Sequence, residues 1–394
     1  MTNDTRRVAL IGGIPSDSPA EVFDLVGKKL NGLVSRLPDG EQNSRGGWFE
    51  YQDQVFEAAD TLERASEGIA LNLLPPDVLQ ERHPELVKAR PELIDNVQRL
   101  FKFFQQGAAE GAAPASPLLH PFQLKSGVRP DEVKLGELGA LKIELESHAE
   151  FKKAQERGSL REDARYIACF PTPYTYLPIV MKMDAAEAVL PEYERALGRE
   201  LAMIADAIPP HELTIQFDVC DFVSVRLEYP DPEQLTLPMM LDVAPRTADQ
   251  VVASLARIAQ SIPDGVEVGM HFCYGSPGNM HLFEPRDTAV MVDFANRLHK
   301  GLGHPLAYIH MPVPKERDDT EYFAPLRNLD IGDAELYLGL AHPADGLDGA
   351  KRRVGAASGF VDGFGIATEC GWGSYTKAEV PALMDLQADI ATQT

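Results

Sequence analysis

Residues 165–220 contain RYIACFPT (Arg165–Thr172), PEYERALGRELAMIADAI (Pro191–Ile208) and LTIQFDVC (Leu213–Cys220), in that order. The outer two runs have strand length and are rich in β-branched and aromatic residues. The middle run sets apolar residues at i, i+3, i+4 and i+7, the spacing of a helix with one buried face. Strand, helix, strand is the unit from which parallel α/β folds are built.

The alternation continues in both directions. Upstream lie RVALIGG (Arg7–Gly13) and GLVSRLP (Gly32–Pro38). Downstream lie VEVGMHFC (Val266–Cys273), LAYIHMPV (Leu306–Val313), ELYLGLAH (Glu335–His342) and GFGIATEC (Gly363–Cys370). Helical patterns recur at Thr247–Ile262 and Gly349–Phe360. Eight strands alternating with helices predict a (β/α)8 TIM barrel. A doubly wound open sheet is the rival, but the first turn, Gly12-Gly13-Ile14-Pro15, lacks the GxGxxG fingerprint of that class. The irregular region is Asp77–Leu160, with a charged helical stretch (Pro91–Gln106), an Ala/Gly/Pro-rich linker (Gly107–Pro117) and a possible extra strand at Phe122–Gly127. We read residues 1–394 as one barrel domain with a helical insertion at about 77–160, after the second strand. There are no internal repeats.

The 394 residues are 44% hydrophobic and 25% charged, ordinary for a soluble globular protein with a large core. Their net charge of −23 opposes contact with phosphate backbones and anionic lipid surfaces, so neither nucleic acid nor membrane is expected as a partner. No signal peptide and no apolar stretch of about 20 residues is evident. The four cysteines, Cys169, Cys220, Cys273 and Cys370, are scattered, which points to reduced thiols and a cytoplasmic protein. Homo-oligomerisation is left open.

Polar residues crowd the C-terminal ends of the expected strands, where barrel enzymes keep their active sites. They are Asp39 and Glu41 after the second strand, and Asp218, Cys220 and Asp221 at the fourth. His271 and Cys273 close the fifth, His310 the sixth, His342 the seventh and Cys370 the eighth. His271 and Cys273 are two apart on a strand, so an imidazole and a thiol project together. With His310 and Cys370 brought to the same mouth, the set suits Zn²⁺. Taken alone, an HxC is more often a core cysteine beside a hydrogen-bonded histidine. Asp39-Gly40-Glu41 alone reads as an ordinary turn. Asp218 interrupts a buried run, either as an ion-pair partner or as a site residue, with Gln216 on its face. Glu41 and Arg45 are candidates for binding a polar substrate, and Asp218 or His342 for moving a proton. The charged stretch Lys315–Tyr322 is a solvated surface or a loop over the barrel mouth.

These pieces resemble the cobalamin-independent methionine synthase family. Ile11-Gly12-Gly13-Ile14-Pro15 is similar to that family's opening IGSFP strand, and Leu37–Glu41 with Arg45 to its HGE…R segment. Gln216-Phe217-Asp218 resembles its QID, His271-Phe272-Cys273-Tyr274 its HxCY, and Cys370-Gly371 its final CG. Order and approximate separations agree over nearly the whole chain, which has the length of the catalytic barrel alone. The segments IHMPVP (309–314) and ATECG (367–371) are similar to methionine-synthase-like proteins of unassigned activity.

The resemblance implies a zinc-centred barrel that activates a thiol as alkyl acceptor. It carries the metal-ligand role to His271, Cys273 and Cys370, and places His310 where the family has a glutamate ligand. It also implies substrate contacts from Asp39, Glu41, Arg45 and Tyr274. The acidic residue that follows QID in the family is absent, since Val219-Cys220 stand there. The expected activity is therefore a zinc-dependent alkyl or methyl transfer to a small-molecule thiol other than homocysteine. A zinc-dependent hydrolase or lyase acting on a small polar substrate is the alternative, and a metal-free barrel resembling uroporphyrinogen decarboxylase a third.

Overall fold

A computed structural model describes residues 5–45, 47–66, 76–82, 84–89, 91, 94–95, 98, 120–220, 247–274 and 285–394. Asp221, the Gly107–Pro117 linker and most of the Pro91–Gln106 stretch lie outside the described residues.

In chain order the strands are β1 (Arg36–Pro38), β2 (Leu62–Arg64), β3 (Phe122–Leu124), β4 (Arg165–Pro171), β5 (Leu213–Val219), β6 (Glu267–Phe272), β7 (Leu306–Pro312), β8 (Glu335–Ala341) and β9 (Gly365–Thr368). Seven of them form one sheet in the order β1-β4-β5-β6-β7-β8-β9, and every adjacent pair is parallel. The order never reverses. An open doubly wound sheet reverses at a switch point, so this sheet is singly wound.

The sheet curls. Arg36 on β1 bonds Glu267 on β6 and Glu335 on β8, which only a curved sheet brings within reach. The N-terminal segment runs between the sheet's two edges. Val8 pairs in parallel with Ile366 on β9, while its N–H donates to the Leu33 carbonyl at 2.8 Å. Farther along, the Ile14 N–H donates to Gly40 beyond β1, also at 2.8 Å. The sequence reading expects a full strand at Arg7–Gly13, but the sheet pairing there is a single bridge at Val8. The left-handed backbone at Gly12, with φ of 111°, ends the extended run. The result is a TIM-barrel-like α/β fold.

Alternation along each strand sets the two faces. On β5, Leu213, Ile215, Phe217 and Val219 join the apolar core, while Thr214, Gln216 and Asp218 point the other way and are also buried. A buried face of polar groups requires partners, and neighbouring strands supply them. Tyr308 of β7 donates to Gln216 Oε1 at 2.5 Å and lies over Gly269 of β6. A Cβ at Gly269 would sit 2.2 Å from that ring, so only glycine fits.

Helices cover the outer face. Ala248–Ala259, between β5 and β6, starts with a capping box formed by Thr247 and Gln250. Its Val251, Val252, Leu255, Ile258 and Ala259 are buried. Met183–Ala207 fills the β4–β5 crossover and Ala289–Gly301 the β6–β7 crossover. Between β1 and β4 the chain makes the antiparallel pair β2–β3 and then the helix Ala140–Glu156. The expected extra strand at Phe122–Gly127 is β3, and its partner β2 was not anticipated. No helix of the described residues is long and apolar enough to cross a membrane.

Candidate metal centre

His271 is the next-to-last residue of β6, Cys273 directly follows that strand, and Cys370 lies two residues beyond β9. Parallel strands of one curled sheet deliver all three to the same end. Cys273 Sγ is 3.8 Å from Cys370 Sγ, and Cys370 Sγ is 3.6 Å from His271 Nε2. The three ligand atoms lie within 4.8 Å of one another, and among the described residues they are the group able to hold a metal ion. Tetrahedral zinc with bonds of about 2.3 Å to sulfur and about 2.0 Å to nitrogen sets two sulfurs about 3.8 Å apart and a sulfur and a nitrogen about 3.5 Å apart. The donor set fits zinc in chemistry, and the two distances that meet at Cys370 Sγ fit it in spacing.

Burial pushes the His271 ring well below the usual imidazole range, and neighbouring His310 adds to this. His271 is therefore neutral, as a ligand must be. The Cys370 thiol is pushed up, first by its hydrogen bond with Cys273 and then by burial. Asp218 contributes to the same rise, so its carboxyl lies within electrostatic reach of the centre.

The Cys370 turn is fixed from behind. Trp372 N–H donates to the Gly13 carbonyl at 2.6 Å, and Trp372 Nε1 to Thr368 Oγ1 at 2.9 Å. Thr368 Oγ1 in turn donates to the Cys370 carbonyl at 2.8 Å. Gly371 sits so close that a Cβ there would be 2.9 Å from Gly13 N.

His310, paired in register with His271 on the next strand, does not join the three ligand atoms. Its Nδ1 is 2.8 Å from His271 Nδ1, and its Nε2 is 3.0 Å from the Thr368 carbonyl. Burial pushes its pKa down to about 3, against the pull of the Thr368 and Phe272 carbonyls.

A second cluster adjoins the first through the N-terminal glycines. A Cβ at Gly13 would be 3.4 Å from Glu41 Oε2, and one at Gly12 3.1 Å from Glu41 Oε1. Glu41 has φ of 52°, the one non-glycine residue with positive φ among the described residues. Such backbone costs of order 1 kcal/mol or more and concentrates at functional sites. Its buried Oε1 has no hydrogen-bond partner among the described residues. Burial pushes its pKa well up, and Asp218 is the next cause. Asp218 accepts from Gln216 Nε2 and from Trp48 Nε1, each at 2.7 Å, and burial lifts it to about 7.

Arg45 holds the base of this cluster, at 3.1 Å from Asp39 and 3.2 Å from Glu144. Ser147 donates to Asp39 Oδ2 at 2.6 Å, and the Tyr166 hydroxyl to Glu144 Oε2 at 2.5 Å. The sequence reading missed Trp48, Glu144, Ser147 and Tyr166. A signal for two of them was present: Ala140, Glu144, Ser147, Phe151 and Ala154 form the buried stripe of one helix, with two polar residues on it.

The remaining expected residues lie elsewhere. His342 Nε2 donates to the Val313 carbonyl at 2.8 Å, and its Nδ1 faces Glu369, 3.9 Å away. Burial lifts Glu369 to about 8. Tyr274 is buried within the apolar core. Cys220 donates its N–H to Thr175 Oγ1 at 3.0 Å.

No protein-family model and no curated protein matches the chain. Solved structures do. A B12-independent methionine synthase from Shewanella sp. W3-18-1, in complex with selenomethionine, matches with a TM-score of 0.52 and 13% identity, over 98% of this chain and 96% of that one. A putative vitamin-B12-independent methionine synthase from Listeria monocytogenes matches with a TM-score of 0.51 and 13% identity, over 95% of this chain and 86% of that one. At such identity the likeness shows the fold.

Proposed function

We propose that this chain is a zinc-dependent alkyl transferase, of methyltransferase type, built on an eight-stranded (β/α)8 barrel that the Val8 segment closes. The observation that carries the reading is that Cys370 Sγ lies 3.8 Å from Cys273 Sγ and 3.6 Å from His271 Nε2, which match two edges of a tetrahedral zinc site. The solved methionine synthases of the same fold lend it support. His271 Nε2, Cys273 Sγ and Cys370 Sγ would hold the ion. Bound zinc would supply Lewis acidity, lowering the pKa of a thiol or water placed on it.

The chain's own groups do the rest. Glu41 and Asp218 present two buried carboxyls that repel each other, a subsite for a cationic or hydrogen-donating end of a small thiol. Trp48 and Gln216 fix the Asp218 carboxyl in place. With its pKa near 7, that carboxyl is suited to take the thiol proton. Arg45, through Asp39, secures the loop that carries Glu41, since Asp39 Oδ1 accepts from the Glu41 N–H at 2.9 Å. The thiolate sulfur then displaces the leaving group from an alkyl carbon, and positioning supplies much of the rate. The four cysteines form no disulfide among the described residues, which fits a reducing, cytoplasmic setting.

The test pairs elemental analysis of protein purified without added metal with transfer assays on a panel of thiols. Zinc together with thiol-dependent alkyl transfer supports the proposal. Zinc with turnover that needs no thiol supports a hydrolase or lyase instead, which a three-residue ligand set also permits. Absence of zinc refutes both.

A further inference from the structure

We infer that His310 is a positioning residue rather than a metal ligand, and that it fixes His271 in the tautomer whose Nε2 lone pair faces the two cysteines. The inference rests on the metal reading above and concerns how the ligand is held.

The argument is a proton count over the groups that face the two rings. The Thr368 carbonyl can only accept, so His310 Nε2, 3.0 Å away, carries a proton and donates it. The Phe272 carbonyl also pulls on the His310 ring, but the hydrogen-bond contact at Nδ1 is with His271. A neutral ring has one such proton, which leaves His310 Nδ1 as an acceptor. The atom facing it at 2.8 Å is His271 Nδ1. That contact is a hydrogen bond only if His271 Nδ1 donates. His271 then has its one proton on Nδ1 and a lone pair on Nε2, the atom 3.6 Å from Cys370 Sγ. Both rings are buried, at 3% and 0% exposure, away from bulk solvent. The register His271↔His310 and a ring-centroid separation of 4.9 Å keep the pair together. A ligand histidine commonly gives its other ring N–H to an acceptor that orients it, and here the acceptor is a second imidazole.

Thr368 therefore serves the centre twice. Its carbonyl orients His310, and its hydroxyl holds the Cys370 carbonyl at 2.8 Å. Among the described residues the candidate ligands of the centre are then one imidazole and two thiols.

Zinc K-edge absorption on the loaded protein counts imidazoles directly. The expected shell is two sulfurs and a single imidazole, unchanged in His310→Ala. Zinc affinity in that variant should fall about 10–100-fold by chelator competition, the usual cost of losing an outer partner. His310→Gln, which can offer an amide oxygen to His271 Nδ1, should recover part of the loss. Two imidazoles in the wild-type shell, or the loss of an imidazole in His310→Ala, would overturn the inference. Long-range ¹H–¹⁵N correlation on histidine-labelled, metal-free protein decides it independently of zinc. The inference requires a proton on His271 Nδ1 and on His310 Nε2, and the opposite tautomers sink it. If the tautomers are as inferred but no zinc binds, the metal reading fails and this one stands.

Discussion

The sulfurs of Cys273 and Cys370 lie 3.8 Å apart although 97 residues separate them. One follows β6 and the other follows β9, so three strand-to-strand steps around the curled sheet bring them together. A pair this close, with a histidine nitrogen 3.6 Å from one of its sulfurs, predicts one zinc per chain. Cys273→Ser and Cys370→Ala should each lose most of the metal. Cys169→Ser should keep it, because Cys169 Sγ faces Gln216 instead. Elemental analysis of the three variants decides, and equal zinc in all of them would remove the site.

Gly371 predicts a selective loss. An added Cβ would press against Gly13 N at 2.9 Å, and both atoms belong to backbone held by the Trp372–Gly13 bond. Gly371→Ala must shift the Cys370 turn. Overpacking of this kind typically costs about 1–3 kcal/mol. We expect a lower urea midpoint together with weaker zinc binding by chelator competition. A variant that unfolds earlier yet binds zinc as tightly as the wild type would show that the turn does not position the thiol.

The strands were legible because each is a short apolar run bounded by turns, and the expected and observed limits at β4–β8 differ by a residue or so. That the His271 and Cys273 side chains project together was legible for the same reason, since residues two apart follow the strand's own period. Which residues stand behind the ligands was not legible. His310 and His271 share a register position, and a sequence cannot say whether the second imidazole points at a metal or at the first ring. Trp48 reaches Asp218 across 170 residues from a loop with no strand or helix period to announce it. Glu144 and Ser147 could have been read as polar residues on an apolar helical stripe. The short N-terminal pairing was overread because an apolar run does not reveal where glycine ends its extension.

Homocysteine and folate polyglutamate should be poor substrates. Cys220 stands where the methionine synthase pattern has an acidic residue, and its backbone is held by Thr175. The carboxyls we assign to a substrate are Glu41 and Asp218, whose environment differs from that pattern. Robust methionine formation from these two compounds by purified protein would contradict the expectation.

Glu41 predicts a trade of stability against binding. Its carboxyl is pushed well above the usual range by burial and by Asp218, so the folded state favours its protonated form. For an acid with a raised pKa, stability is greatest at low pH and falls as pH rises past the unfolded value, about 4.3. Glu41→Gln removes that decline. We expect a higher Tm at pH 8, by about 1 °C for each kcal/mol recovered in a chain of this length, and little change at pH 4. The thiol substrate should bind more weakly. A variant less stable than wild type at pH 8 would show that the Glu41 charge is compensated in the fold.

Removing the Arg45 charge should be costly. Its guanidinium spans Asp39 Oδ1 and Glu144 Oε1, and both carboxylates are almost wholly buried. Taking away one partner of a buried ion pair strands the other charge, at about 3–5 kcal/mol. Arg45→Lys cannot reach both with a fork and should recover only part of the loss. The cost must depend on pH. Burial lifts Glu144 from 4.5 to about 7, with Arg45 pulling it down and Asp39 pushing it up. In the wild type, Glu144's contribution is therefore most favourable below about pH 4.5, declines up to about 7 and is level above that. Without Arg45 the pull downward is gone, so the decline continues beyond pH 7. The destabilisation of Arg45→Ala, measured by urea unfolding, should be larger at pH 8 than at pH 5. An equal loss at both pH values would mean that Glu144 does not titrate against Arg45, and that Asp39 alone carries the pair.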